Sequence, residues 1–77
     1  MKSRTTERFR TLLAAAPAAI QEKAHAVYRT WALNPSHPSL RFKKVHTTQP
    51  IYSVRIDKDW RVVGVLRGGD MIWFWIG

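Results

Sequence analysis

Apolar residues recur along the chain with two periods, and the change falls at the loop Asn34-Pro35-Ser36-His37-Pro38-Ser39. Before this loop the spacing is helical. Phe9, Leu12, Leu13 and Ala16 fall on one face of a first predicted helix. Thr6 suits its N-cap and Glu7 its first turn, where a side-chain oxygen and a negative charge meet unpaired backbone N–H groups. Pro17 ends that helix and can open the next, because a fixed φ and a missing N–H are tolerated at a first helical position. Ile20, Ala24, Val27 and Trp31 follow at i, i+4, i+7 and i+11, with Gln21, Glu22, Lys23 and Arg29 mostly off that stripe. The second helix stops by Asn34, since a residue before proline avoids the α region. The tight connection predicts an antiparallel helical hairpin over about 6–33.

After the loop the period is that of strands. Phe42 to His46 predicts a short one. In Ile51 to Asp57, Tyr52, Val54 and Ile56 point one way, Ser53 and Arg55 the other. In Trp60 to Arg67, Trp60, Val62 and Leu66 share one side, Arg61, Val63 and Val65 the other. Gly68-Gly69 is a two-residue hairpin signal flanked by a plausible Arg67–Asp70 cross-strand ion pair. Met71 to Ile76 is apolar on both faces, which suits a strand covered on both sides. The fold class is therefore α+β: one domain over 1–77, with an N-terminal α-helical hairpin packed on one face of a three- to four-stranded antiparallel sheet at about 41–76.

The register of the middle hairpin follows from the pattern. A two-residue loop, Lys58-Asp59, would set Arg55 opposite Val62 and mix charges with core residues. A three-residue loop, Asp57-Lys58-Asp59, pairs Ile56 with Trp60, Val54 with Val62 and Arg55 with Arg61. The second keeps the apolar side chains together. It also sets two arginines directly opposite each other on the face away from the helices, which is destabilising unless an anion, a nearby aspartate or solvent relieves it. The Gly68-Gly69 hairpin, counted the same way, pairs Gly64 with Trp73 and leaves space for the indole.

Composition changes this picture mainly through charge. Thirteen Lys and Arg face five Asp and Glu, a formal net charge of +8. In so small a domain that excess attracts polyanions, because neutralised phosphates release condensed counterions. Absence of cysteine excludes disulfides and thiolate metal sites. Met1 to Arg8 lacks the apolar stretch of a secretory signal, and the longest apolar runs are too short to cross a bilayer. The expectation is a soluble, cytoplasmic protein without a membrane partner.

The candidate chemistry centres on Arg55 and Arg61, whose guanidiniums could clamp a phosphate and stabilise charge that develops during cleavage. A solvated polar face explains strand arginines equally well. Lys43, Lys44 and His46 lie in the adjoining stretch, where lysines could hold an RNA backbone and a histidine could move protons. Taken singly, each is more often surface charge. His25, His37 and His46 show no metal-ligand spacing, Ser53 has no triad arrangement, and Gly68-Gly69 lacks the context of a phosphate-binding loop; no metal or cofactor is expected. Trp31, Trp60 and Trp73 read as core. Phe74 and Trp75 occupy opposite faces, so at least one meets something beyond the helix-side core.

The segments Asn34-Pro35-Ser36-His37-Pro38-Ser39-Leu40-Arg41-Phe42-Lys43, Pro50-Ile51-Tyr52-Ser53-Val54-Arg55-Ile56, Trp60-Arg61-Val62-Val63-Gly64-Val65 and Trp73-Phe74-Trp75-Ile76-Gly77 together resemble the RelE/ParE toxin superfamily. Within it they are most similar to short RelE-like cytotoxins of bacterial type II toxin–antitoxin systems. The resemblance implies a helical hairpin on an antiparallel sheet and a cognate antitoxin that covers the basic face. RelE-type members cleave mRNA on the ribosome without a metal, the ribose 2′-hydroxyl attacking the adjacent phosphate. On that template Arg55 and Arg61 match positions that carry basic functional residues, and Lys43 and Lys44 match more loosely. Two departures stand out. The usual N-terminal strand is reduced here to Lys2 to Thr5. Related chains continue past the Trp-Ile-Gly segment with a short basic or His-containing stretch and a tyrosine, some of which serve cleavage; this sequence ends at Gly77.

Three functions follow as alternatives. The first is a ribosome-dependent mRNA endoribonuclease that inhibits translation, with ribosome and mRNA as partners. The second is a ParE-like inhibitor of DNA gyrase that acts through protein contact. The third is a remnant that only binds antitoxin or RNA.

Overall fold

Thr6 opens the first helix as its side chain predicts: Thr6 Oγ1 accepts the Phe9 N–H at 3.1 Å, while the Thr6 N–H donates to Trp73 O at 3.0 Å. In this computed structural model, which describes residues 2–77, strand β1 spans Lys2–Thr5, helix α1 Glu7–Ala15 and helix α2 Ala18–Leu33. Strands β2 (Lys43–Lys44), β3 (Ile51–Asp57), β4 (Trp60–Arg67) and β5 (Asp70–Ile76) follow a short 3-10 turn at Pro38–Leu40. Pro17 separates the helices as expected. The Gln21 side chain then caps the end of α1, donating to Ala16 O at 2.9 Å and Ala14 O at 3.3 Å.

The strands form one sheet in the order β1-β5-β4-β3-β2. Four are antiparallel to their neighbours, and β1 adds a fifth, parallel to β5. That edge extends the expected three- to four-stranded sheet. Its Ser3 and Thr5 pair with Met71 and Trp73, whose side chains are buried, and Ser3 Oγ donates to Tyr28 Oη at 3.0 Å. Lys2 and Arg4 pair with Asp70 and Ile72 on the other face.

The expected strand at Phe42 to His46 contracts to Lys43–Lys44, for two local reasons. Arg41 takes a left-handed conformation (φ 46°), and Phe42 packs into the aromatic cluster, 6.0 Å from Trp31 edge-on and 5.1 Å from Tyr52 stacked. At the other end, His46 Nδ1 accepts the N–H groups of Thr48 and Gln49 and closes a turn.

Both later hairpins carry a bulge. Val54 pairs with Val62 and Arg55 with Arg61, but Asp57 pairs with Trp60, so the turn is Lys58-Asp59 and Ile56 is the extra residue. The parity that a three-residue loop would supply comes instead from the bulge, which inserts one residue and restores the alternation. In the second hairpin Gly68 (φ 56°) and Gly69 (φ 85°) both occupy the left-handed region that a two-residue turn requires. Arg67 faces Asp70 there, and Gly64 faces Trp73 as the pattern predicts. A second shift, between Val63 and Gly64, leaves Phe74 as the extra residue.

The core lies between helices and sheet. Trp31, Leu40 and Met71 are almost fully buried, and Trp31 meets Trp73 edge-on at 5.2 Å. Trp60 is half-buried against this core. Helix α1 lies on β5 and α2 on β3. Between them an apolar cleft of about 210 Å³ is lined by Phe9, Leu13, Ala24, Tyr28, Trp31, Val54 and Trp73, among others.

Candidate nucleic-acid interface

The helices cover one face of the sheet and leave the other open. Register assigns Lys43, Ser53, Val63 and Trp75 to one cross-strand row of that open face. A second row runs through Ile51, Val65, Ile72 and Arg4. A third consists of Arg55, Arg61 and Gly77: the Arg61 N–H donates to Gly77 O at 2.8 Å and Gly77 N–H to Arg61 O at 3.0 Å. The face thus has an apolar middle and a basic margin, with Asp70 paired to Arg67 at one end.

The Arg61 hydrogen bonds decide the geometry of the arginine pair. In an antiparallel ladder both main-chain groups of a residue point to the same neighbour. Those of Arg61 point to Gly77, so Arg55–Arg61 is a pair of the non-hydrogen-bonded kind. Such residues stand closest, with Cα atoms about 4.5 Å apart and side chains adjacent. Neither guanidinium has a hydrogen-bond or ion-pair partner among the described residues. Asp57, the nearest candidate to relieve them, is engaged elsewhere: Lys23 Nζ lies 2.7 Å from Oδ2, and the Lys58 N–H donates to Oδ1 at 2.6 Å. These two bonds hold the Asp57 carboxyl below its ordinary value, with the Lys23 and Arg55 charges adding to the effect. Adjacent arginines on an open sheet face whose guanidiniums have no partner leave their donors free for an anion.

The other sequence candidates divide. Lys43 shares the open face and pairs with Ser53, one row from the arginines. Lys44 pairs with Tyr52 and belongs to the helix-side face at the sheet edge. His46 lies in the loop beyond β2, near Ile51, roughly 13 Å along the sheet from Arg55. The structure therefore joins Arg55, Arg61 and Lys43, and does not bring Lys44 or His46 to them. Ser53 is buried between its neighbours. The residue whose place sequence left open is Trp75, 38% exposed and on the arginine face. Only the bulge, which the pattern does not signal, fixes that side. The apolar cleft lies on the opposite face and has His25 as its sole titratable group besides Tyr28. Among the described residues, no three of His, Asp and Glu gather as a metal site would need, and no helix is long and apolar enough to cross a membrane.

Two helices packed on a five-stranded, mostly antiparallel sheet match the fold of RelE-like toxins. The ParE-like toxin domain matches residues 18–77, and the chain belongs to that family. Among solved structures it is similar to RelE in the RelB–RelE antitoxin–toxin complex from Methanococcus jannaschii, with a TM-score of 0.77 and 16% identity over 95% of this chain and 86% of that one. It is likewise similar to the YoeB/ParE toxin from Agrobacterium tumefaciens (TM-score 0.77, 17% identity, 99% and 95% covered). A third is YafQ from E. coli strain BL21(DE3) (TM-score 0.79, 11% identity, 99% and 90% covered). At these identities the likeness shows the fold. Comparison with curated protein sequences finds no match.

Proposed function

We propose that this chain is the toxin of a type II toxin–antitoxin system and a metal-independent, ribosome-dependent mRNA endoribonuclease. The observation that carries the reading is the adjacent, unpaired Arg55–Arg61 couple on the open sheet face. Two guanidiniums there can hold the non-bridging oxygens of one phosphate. When the ribose 2′-hydroxyl attacks that phosphorus, passing its proton to water, negative charge grows on those oxygens. The bond to the 5′-oxygen breaks and that oxygen takes a proton from solvent, giving a 2′,3′-cyclic phosphate and a 5′-hydroxyl. Fixed positive charge that needs no rearrangement lowers the barrier to that step. Lys43, on the same face, reaches toward a neighbouring phosphate. The net charge of +8 supports a polyanionic target. An antitoxin partner is supported by the antitoxin complexes among the similar structures, and it would cover this face.

The test is a reconstituted bacterial translation reaction with primer-extension mapping of mRNA ends. New ends on ribosome-bound message, absent from naked RNA and abolished by Arg55→Ala/Arg61→Ala, are expected. Intact message with a folded protein overturns the nuclease reading. A second reading, gyrase inhibition by protein contact through the same face, is favoured by the ParE-like family match. Inhibited supercoiling with intact message would establish it.

A further inference from the structure

Trp75 is the large aromatic residue exposed on the arginine face, and its surroundings hold it there. It pairs with Val63, in the row next to Arg61. A Cβ on Gly77 would run into the six-membered ring of Trp75, so the indole lies against the Gly77 backbone rather than standing off the sheet. Gly77 is in turn hydrogen-bonded to Arg61 through both main-chain groups. The ring therefore extends toward the arginine row, which begins two residues along the strand, about 7 Å away. An indole laid on a sheet with 38% of the residue exposed is a planar surface beside two unpaired cations.

We propose that Trp75 is a stacking platform for an unpaired nucleobase whose phosphate sits on Arg55 and Arg61, so that the face takes single-stranded RNA. This deepens the nuclease reading and rests on it. Charge favours RNA over a protein occupant at this spot: the charged residues that strand register places on this face are Lys2, Arg4, Lys43, Arg55, Arg61 and Arg67 against Asp70, which pairs with Arg67 at the far end, and the Asp57 carboxylate is bound to Lys23. Stacking selects single strands because a paired base offers no free face, and it tolerates sequence because every base has a π surface.

The experiment measures binding of the full chain to a 2′-fluoro single strand, which cannot be cleaved through its 2′-oxygen, and to the same sugar–phosphate chain without bases. Wild type should prefer the base-bearing strand about tenfold. Trp75→Ala should abolish that preference with abasic binding unchanged, and Trp75→Phe should keep most of it. Arg55→Ala/Arg61→Ala should weaken both strands alike. Equal wild-type binding to the two strands, or an equal decrease on both in Trp75→Ala, overturns the platform and leaves the arginine site standing. No binding of either strand by folded wild type overturns the platform, while the nuclease reading stands or falls with the translation reaction.

Discussion

Lys23 Nζ sits 2.7 Å from Asp57 Oδ2, and this ion pair ties α2 to the end of β3 directly beside the arginine couple. Its consequence is electrostatic. A carboxylate close enough to act on Arg55 is drawn to the helix side by Lys23, whose charge offsets its own, so it subtracts less from the positive field of the open face.

The pair has a pH signature. Because the folded Asp57 carboxyl lies below its ordinary value of 3.8, it stabilises the fold above that value and ceases to as pH falls through the lowered one. Thermal unfolding of wild type and Asp57→Asn should differ near neutrality, wild type being higher. The gap should close in acid once the folded carboxyl protonates. A gap that stays constant to low pH would assign it to packing or turn geometry instead. The same variant should bind RNA at least as tightly as wild type, since a negative charge near Arg55 is removed.

Gly64 is fixed by what faces it. A Cβ there would lie 2.5 Å from Trp73 Cε3, 3.0 Å from Ile72 O and 3.0 Å from Met71 Sδ. The sulfur could move, but the carbonyl belongs to the paired strand and the indole is packed edge-on to Trp31. Gly64→Ala should therefore destabilise by about 1–3 kcal/mol, the range for overpacked cores. Urea unfolding checks this, and an unchanged midpoint would show that the β4–β5 ladder yields more readily than its bulge suggests.

The turn at Gly68-Gly69 separates conformation from packing. Neither glycine has an atom within 4 Å of its would-be Cβ, yet both have positive φ. Space is free and only the backbone objects. Gly68→Asn should change stability little, because asparagine tolerates the left-handed region, whereas Gly69→Val should cost about 1–2 kcal/mol. Equal effects of the two variants would mean that crowding rather than φ governs the turn.

These elements also show what the sequence makes legible. Periodicity places both helices, because Phe9, Ile20, Ala24 and Trp31 are buried by one continuous sheet face. It places Arg55 opposite Arg61 and Gly64 opposite Trp73, because a slip of one residue would expose the core. It does not reveal the bulges at Ile56 and Phe74, since an added residue leaves composition unchanged and alters only which neighbour it meets. It gives little sign of β1, whose Lys-Ser-Arg-Thr residues are held by the β5 backbone and a Ser3–Tyr28 hydrogen bond rather than by apolar burial. The site divides along the same line: residues within regular ladders, Arg55 and Arg61, can be placed by counting. His46 and Trp75 depend on a turn and a bulge, and counting fails there.

The arginine couple should itself lower stability, and salt should reveal it. Two like charges directly opposite in a ladder cost a few tenths to about 1 kcal/mol relative to neutral side chains. The repulsion acts through solvent at the sheet surface, where the Debye length falls from about 30 Å at 0.01 M to about 8 Å at 0.15 M ionic strength. Arg61→Gln keeps length and polarity while removing one charge. Its unfolding free energy should exceed that of wild type at 0.01 M salt, and the two should converge as salt rises. RNA binding should move the opposite way, with a weaker affinity and a salt slope reduced by about 0.7, the value for one fewer phosphate neutralised on a single strand. A variant less stable than wild type at every salt concentration would show that Arg61 is held by favourable interactions and not strained against Arg55. The face would then lose its main claim to be an anion site, because cations already satisfied within the fold have little left to offer a phosphate.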